Sequence, residues 1–282
     1  MRSATAFIGF GEAGMAFAAA AARGYDRRND DAKRQDFARC GVRACGTAAE
    51  ALSGASAALS LVTADQALSA ALDDAPYLGP GTLWLDMNSV APDTKRAARD
   101  AVEAAGGRYA DVAVMSPVYP ARLAVPLLIS GPHAQAGADA LAASGFTNVR
   151  IVAGPVGAAS SIKMIRSVMI KGIEALSAEC ALAAHAAGVE GEVIASLDAS
   201  WPGADWGKRF DYNLDRMLVH GCRRSDEMRE VARTVSALGP SPTMSEGAAS
   251  WQRALGELGI DPPAGLSAKV DAIRSAMKAS RA

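Results

Sequence analysis

The chain has 282 residues, 50% of them hydrophobic, and a formal net charge of −1. That is enough for one large core or two moderate ones. The near-neutral charge gives no sign of a basic nucleic-acid surface or a polybasic membrane contact, and no window holds the ~20 uninterrupted apolar residues of a membrane span.

Only Arg2 precedes the first apolar stretch, and glycines and Glu12 interrupt it, so no signal peptide is expected. Thr5–Gly9 reads as a first strand. It runs into "FIGFGEAGMAFAAA" (Phe7–Ala20), where Gly9, Gly11 and Gly14 are spaced G-x-G-x-x-G, and a helix-like stretch follows over Ala13–Ala22. A strand, a glycine turn and a helix in that order form a dinucleotide cradle. The first glycine allows the tight turn, the second lets a pyrophosphate reach the backbone, and the third lets helix and strand pack closely. The helix N-terminus supplies N–H groups and positive dipole. Gly9, Phe10, Gly11, Glu12, Ala13 and Gly14 are therefore the expected cofactor contacts. An acidic residue is expected about 20 positions on, at the end of a second strand. The candidate is Asp26 in "GYDRRNDD", only 12 residues after Gly14, so either the helix is short or the second strand is a stub. Asp26 suits a ribose 2′-hydroxyl, which favours NAD; Arg27 and Arg28 suit a 2′-phosphate, which favours NADP. A solvated charged loop is the plain alternative, and the cofactor stays open as NAD or NADP.

Further strands are expected at Ala57–Val62, Thr82–Asp86, Tyr109–Met115, Pro126–Ser130 and Asn148–Val152. Between them Thr47–Leu52, Gln66–Ala71, Pro92–Ala105 and Ala134–Ser144 are helix-like. The alternation predicts βαβ units around a mainly parallel sheet. Ligands of such sheets sit outside the carboxyl ends of strands, which adds Val62 and Thr63 as backbone contacts. Ser89, between a strand end and the helix that Pro92 starts, is either a cleft residue near the nicotinamide or a helix cap. After Gly154-Pro155 the strand signals cease. From Ala158 to about Gly188 a helical period puts Lys163, Ser167, Lys171 and Glu174 on one stripe, with Ile162, Ile165, Met169, Ile173 and Leu176 roughly opposite. The apolar side is expected to anchor this helix, leaving the polar stripe to solvent or a cleft. The remainder is helical, broken at Pro202-Gly203, Gly239-Pro240 and Pro262-Pro263. The expected architecture is an α/β Rossmann-type dinucleotide-binding domain over 1–155 and an all-α substrate and dimerisation domain over 156–282, joined by a long inter-domain helix. Trp201 and Trp206 read as core or interface anchors. His220, Arg223 and Arg224 form a basic cluster, either a solvated face or a contact to a substrate anion. The four cysteines, Cys40, Cys45, Cys180 and Cys222, form no C-x-x-C and have no histidine at ligand spacing. Free thiols in a reducing cytoplasm are expected, and no metal.

Three stretches join the glycine turn in order and spacing: "DMNSVAP" (Asp86–Pro92), "DVAVMSPVYPARLAVPLLISG" (Asp111–Gly131) and "GPVGAASSIKMIRS" (Gly154–Ser167). Together they resemble the β-hydroxyacid dehydrogenase family, which includes 3-hydroxyisobutyrate and 6-phosphogluconate dehydrogenases. The first looks like that family's D-x-S-T-x-x-P segment, the second like D-A-P-V-S-G-G with the edge strand after it, and the third like G-x-x-G-x-G-x-x-x-K-x-x-x-N. The resemblance implies NAD(P)-dependent oxidation of a small 3-hydroxy acid, or reduction of the matching semialdehyde or keto acid. It places Lys163 on the catalytic lysine, Ser167 where the family has asparagine, and Ser116 in the substrate-binding stretch. The departures concern the substrate pocket: Met115 takes the usual serine position, Pro117 removes a backbone N–H donor, and Ala159 replaces a glycine. Ser116, Met115 and Pro117 are thus candidate substrate contacts. So are Arg122, a bidentate partner for a carboxylate, and Lys171. "WPGADW" and "HGCRRSDEMREVARTVSALG" resemble a bacterial branch of 6-phosphogluconate-dehydrogenase-like NAD-binding proteins. A homodimer is expected, with no nucleic-acid or membrane partner. Two other readings stand beside this one: an imine or keto reductase on the same scaffold, and a dinucleotide-binding regulator without turnover.

Overall fold

The computed structural model describes residues 5–18 and 22–279, and the chain divides into two compact units, Met1–Met164 and Ile165–Ala282. The first unit is built on strands β1 (Thr5–Ile8), β2 (Arg23–Tyr25), β3 (Arg43–Ala44), β4 (Ala57–Ser60), β5 (Leu83–Asp86), β6 (Arg108–Val114), β7 (Leu127–Ser130) and β8 (Val149–Ile151). They form one sheet in the order β3-β2-β1-β4-β5-β6-β7-β8. Every neighbouring pair is parallel except β6 with β7. Helices α1 (Glu12–Phe17), α2 (Asp31–Arg39), α3 (Ala48–Leu52), α4 (Ala67–Asp74), α5 (Pro92–Ala104) and α6 (Ala134–Ala143) make the connections.

Both faces of the sheet are covered, which is why its strands read as near-continuous apolar runs. Phe7, Leu59, Leu85, Val112 and Ile129 pack on one face with Phe10, Phe17 and Phe37. Ala6, Ile8, Ala58, Trp84 and Tyr109 pack on the other, as the two-residue period of a strand requires. The strand order reverses between β2 and β4, on either side of β1, so the carboxyl ends of β1 and β4 flank the switch point where such sheets bind ligands.

The region after the glycine turn differs from the expected pattern. Both shortenings occur: α1 spans only Glu12–Phe17 and β2 only three residues, while Ala19, Ala20 and Ala21 lie outside the described residues. Strand β3 and helix α2 escaped the sequence reading, and β2 entered it only as the stub ahead of Asp26. At the centre of β2 stands Gly24, where a Cβ would come within 2.5 Å of Phe37 Cε1 and 3.4 Å of Phe7 Cβ. Glycine there lets Phe37 of α2 press on the sheet, and glycine has no strand signal of its own. In the charged run beyond it Arg27 and Arg28 are exposed. Asp30 caps α2 by accepting from the Lys33 N–H at 2.8 Å.

Helix α7 (Ala158–Ala187) contains the division between the two units, after Met164. In the second unit it is followed by α8 (Glu190–Ser200), α9 (Trp206–Ala237), α10 (Thr243–Gly256) and α11 (Leu266–Ala279). Their core includes Ala178, Ala181, Phe210, Leu214, Met217, Leu255, Val270 and Ile273. Helices α9 and α10 touch backbone to backbone: a Cβ on Gly221 would overlap the Gln252 carbonyl oxygen and lie 2.8 Å from the Gly256 nitrogen. Trp206 packs edge-on against Phe210 and Trp201, and Trp201 is itself exposed.

On α7 the expected burial is inverted beyond Met164. Ser167, Lys171 and Glu174 are buried, whereas Ile165, Met169 and Leu176 are 50%, 64% and 56% exposed. The inward charges have partners. Lys171 meets Glu227 of α9 at 2.7 Å. The Glu174 carboxylate binds Arg224 of α9 and accepts from Gln252 Nε2 of α10 at 2.7 Å. A buried charge with a well-placed opposite charge is tolerated where a lone one is not. A helical wheel cannot distinguish the two cases. Among the described residues, no helix is long and apolar enough to cross a membrane.

Candidate active site

The glycine turn is held from below. Gly9 has φ +84°, and a Cβ on it would lie 2.7 Å from the Leu61 carbonyl oxygen, so only glycine fits between the ends of β1 and β4. A Cβ on Gly14 would lie 2.9 Å from Phe10 Cδ2, which is the close helix–strand approach expected of the third glycine. The Phe10 ring stacks on Phe37 with centroids 4.1 Å apart. Its peptide is clamped at both ends: the N–H donates to Asp26 Oδ2 at 2.7 Å, and the carbonyl accepts from the buried Lys33 Nζ at 2.7 Å. Asp26 thus stands at the end of β2, as expected, but its carboxylate is engaged with the turn itself and with the Arg28 N–H at 2.9 Å.

Gly11 is different. It caps α1 with φ −86° and no side-chain hydrogen bond, and a Cβ there would meet no atom within 4 Å. Among the described residues nothing requires glycine at this position; a pyrophosphate lying on the turn would. The cradle therefore fits a dinucleotide. Val62 and Thr63 follow β4 on the other side of the switch point. Beside them the Thr63 hydroxyl and the Gln66 amide hold the Asp65 carboxyl below the usual carboxylate range, and Arg27 donates to Gln66 Oε1.

The carboxyl ends of four adjacent strands carry a buried polar row. Ser60 of β4 is in register with Asp86 of β5, Asp86 with Asp111 of β6, and Asp111 with Ser130 of β7. All four side chains are fully buried. Lys95 of α5, equally buried, donates to Asp86 Oδ1 at 2.9 Å and lies 3.5 Å from Asp111 Oδ1. The Tyr109 hydroxyl donates to Asp86 Oδ2 at 2.6 Å. Burial and the two aspartates push its pKa well above the ordinary tyrosine value, so it remains a donor. Asn88 Nδ2 bridges Ser60 Oγ at 3.0 Å and Asp86 Oδ1 at 2.8 Å, which fixes the loop that carries Ser89.

The start of α7 docks on the same row. Asp111 Oδ2 accepts from the backbone N–H groups of Gly157 at 3.1 Å and Ser160 at 3.0 Å, and from the Ser160 and Ser130 hydroxyls at 3.1 Å each. Ser130 Oγ in turn accepts from the Ala159 N–H at 2.9 Å. Gly157, with φ +105°, lets this turn pass close to α5, since a Cβ would lie 3.0 Å from Pro92 Cβ. One turn further along, half-buried Lys163 donates through Nζ to Ser89 Oγ. Two residues singled out by separate stretches of sequence, 74 positions apart, thus meet in one unit.

The other candidates are placed as follows. Met115, Ser116 and Pro117 open the connection between β6 and β7; the Met115 N–H donates to the Pro126 carbonyl at 2.9 Å and Ser116 Oγ lies 3.3 Å from the Pro117 carbonyl oxygen. Arg122 Nε donates to the Ala16 carbonyl at the end of α1, at 3.4 Å. Ser167 lies one turn beyond Lys163 on α7 and is buried. Lys171 and Arg224 have the carboxylate partners described above, and Arg223 lies 3.3 Å from Glu227. Among the described residues no cluster of His, Cys, Asp and Glu is arranged to hold a metal ion, and the four cysteines are free. The sequence reading missed Lys33, Lys95, Asp111, Ser130 and Ser160. A signal existed for one of them: an aspartate inside the apolar run of "YADVAV" has to find buried partners.

Residues 4–143 match the NAD binding domain of 6-phosphogluconate dehydrogenase, and residues 184–255 match a domain of unknown function (DUF1932). No curated protein matches the chain. A conserved hypothetical protein from Sinorhizobium meliloti 1021, of known structure, is 36% identical; 98% of this chain and 97% of that one are covered, with a TM-score of 0.73. A 3-hydroxyisobutyrate dehydrogenase from Mycobacterium tuberculosis, solved with L-serine, is 16% identical over 97% of this chain and 100% of its own, with a TM-score of 0.75. A reductive aminase from Aspergillus terreus, in complex with NADPH and ethyl levulinate, is 17% identical over 96% of this chain and 99% of its own, with a TM-score of 0.59. The last two likenesses are likenesses of fold. Cradle, sheet order, glycine-led α7 and the match across nearly the whole of a homologous chain agree: the protein is an NAD(P)-binding member of the β-hydroxyacid dehydrogenase family, of the 3-hydroxyisobutyrate and 6-phosphogluconate dehydrogenase-like kind.

Proposed function

We propose that the protein is an oxidoreductase that moves a hydride between a nicotinamide cofactor and a small 3-hydroxy acid, or its semialdehyde or keto form, with Lys163 handling the proton. The observation that carries this reading is the contact between Lys163 Nζ and Ser89 Oγ. A lysine on the first turns of α7 is thereby held to the loop after β5, in the same unit as the dinucleotide cradle.

When bound, the cofactor supplies the hydride acceptor or donor. In the oxidative direction the Lys163 amine accepts the hydroxyl proton as the hydride leaves the carbinol carbon. In the reductive direction the Lys163 ammonium returns a proton to the oxygen as the C–H bond forms. Ser89 holds Nζ in place and has a hydroxyl able to pass a hydrogen bond to the same oxygen. Ser167, Ser116, Met115 and Pro117 are the residues proposed to contact the substrate. Between the two cofactors the arrangement favours NADP, because both Asp26 oxygens already accept backbone N–H groups while Arg27 is exposed beside them. A homodimer is proposed as well, supported by the exposed apolar side chains Ile165, Met169 and Leu176 of α7. Retention of the lysine with a partner on the adjoining loop supports hydroxy-acid chemistry over imine reduction and over a regulator without turnover.

The test is a panel of small 3-hydroxy acids with NAD and NADP, followed by nicotinamide absorbance. Turnover of at least one member is expected. Cofactor binding without turnover of any hydroxy acid, semialdehyde or keto acid would leave the regulator reading in its place.

A further inference from the structure

Lys163 and Ser89 belong to different elements, and their meeting depends on how two short segments are fixed to the sheet. Ser89 lies in the loop between β5 and α5; Lys163 lies on α7. The buried row ties both segments down. On one side, Asp86 accepts the Asn88 N–H at 3.0 Å, Asn88 Nδ2 at 2.8 Å and Lys95 Nζ at 2.9 Å. On the other, a single oxygen, Asp111 Oδ2, receives four hydrogen bonds, three of them from α7 or the glycine just before it. Lys95 stands between the two carboxylates. A helix has unpaired N–H groups in its first turn. Here the Ser160 N–H, with that of Gly157 just before the helix, is capped by a carboxylate from the middle of the sheet, and the Ala159 N–H by Ser130 Oγ.

We propose that Asp111 is the positioning residue for the Lys163–Ser89 pair. Its carboxylate sets where α7 starts and how far it is rotated, and through Lys95 it is braced against Asp86, whose loop presents Ser89. This rests on the reading of Lys163 as the proton-handling group, but the placement can be tested without turnover. Asp111→Asn keeps the shape of the side chain. It cannot keep an acceptor for the α7 amides and also an anion toward Lys95, because its NH₂ group must take one of those places.

The experiment uses the full chain and three variants, Asp111→Asn, Ser160→Ala and Ser89→Ala. The rate at which trinitrobenzenesulfonate modifies Lys163 is measured by peptide mass spectrometry relative to the other lysines. Amide exchange is measured for residues 155–165 and for β1 and β4. In Asp111→Asn, exchange at 155–165 is expected to quicken by about tenfold, as for loss of a cap. Lys163 modification is expected to rise by about fivefold or more over the other lysines as its hydrogen bond to Ser89 is lost. Ser160→Ala, which keeps the carboxylate, should move both readouts the same way by less, and serves if Asp111→Asn does not fold. Ser89→Ala should raise Lys163 modification alone. With a turned-over substrate, Asp111→Asn should lower kcat by about tenfold or more with the NADPH Kd within about twofold. A purely structural Asp111 would instead quicken exchange everywhere and leave Lys163 in step with the other lysines; that result overturns the proposal. A parent protein without turnover overturns the hydride-transfer reading alone, and the lysine rate still decides the placement.

Discussion

Alanine at Gly11 separates a cofactor cradle from a turn that merely folds. The three glycines make unequal demands on the protein. At Gly9 the backbone is left-handed and a Cβ would lie 2.7 Å from the Leu61 carbonyl oxygen, so alanine combines a strained φ with a backbone collision, about 2–4 kcal/mol. At Gly14 a Cβ would press on Phe10 at 2.9 Å and on the Gly9 carbonyl oxygen at 3.3 Å. At Gly11 the φ is −86° and a Cβ meets nothing within 4 Å, so alanine should change stability by ~0.5 kcal/mol or less. A pyrophosphate approaching that backbone, however, meets the new methyl. Overpacking of one carbon costs ~1.5–3 kcal/mol, a loss of about 10–150-fold in affinity. The assay is an NADPH fluorescence titration beside a thermal melt. Gly11→Ala should melt within about 2 °C of the parent and bind NADPH at least about tenfold more weakly. Parent-like affinity would refute the cradle argument, and a large fall in Tm would refute the packing argument beneath it.

Gly221→Ala should do the reverse. A Cβ there overlaps the Gln252 carbonyl of α10 and crowds the Gly256 nitrogen, so the second unit should lose ~2–3 kcal/mol and melt roughly 5–10 °C lower; an unchanged melt contradicts the close contact of α9 and α10. The Asp74 carboxyl is raised to about 6 from 3.8 by burial, with Asp73 adding repulsion. A carboxyl raised in the folded state destabilises it above that pKa and has no effect below the unfolded value. Asp74→Asn should therefore stabilise the protein at pH 7.5 by up to ~3 kcal/mol, as read by urea denaturation, with the gain shrinking as pH falls from 6 toward 4; a gain that is flat with pH counts against it. His185 faces Glu190 Oε2 and Asp271 Oδ1 at 2.9 Å each. Glu190 first and Asp271 next raise its pKa above 6.5. The stabilisation is complete below the unfolded value and disappears as pH rises through the folded one. Amide exchange in α11, corrected for intrinsic rate, should thus quicken above pH 7 in the parent but not in His185→Gln.

Much of the first unit could be read from its sequence, because strands buried on both faces leave long apolar runs. β1, β4, β5, β6 and β7 were visible in that way, while β8, half-buried or exposed along its length, was visible only from the short run "NVRIV". β3 and α2 were not, and β2 only through the acidic residue expected at its end. β2 is three residues around a glycine whose missing side chain makes room for Phe37, and β3 is two exposed residues. For the site, Gly9, Gly11 and Gly14 are picked out by their spacing, Ser89 by its place between a strand end and a helix, and Lys163 by the resemblance to the β-hydroxyacid dehydrogenase family; the structure brings the last two together, and their roles are proposals. Asp111 meets Gly157 and Ser160, 46 and 49 positions away; the apolar run of "YADVAV" says that this aspartate needs buried partners, and no local pattern says which. The inverted faces of α7 have the same origin. Lys171 and Glu174 turn inward because Glu227, Arg224 and Gln252 await them on α9 and α10, information that periodicity within α7 does not contain.

The central claim is that Lys163 handles the proton of a hydride transfer. It is tested most directly by comparing kcat and NADPH Kd for the parent and Lys163→Ala on a hydroxy acid that the parent oxidises. Loss of a general acid–base group predicts a fall in kcat of about 10²–10⁴-fold, with the NADPH Kd unchanged within about twofold because Lys163 lies outside the cradle. A Lys163→Ala variant that turns over at the parent's rate would contradict the account.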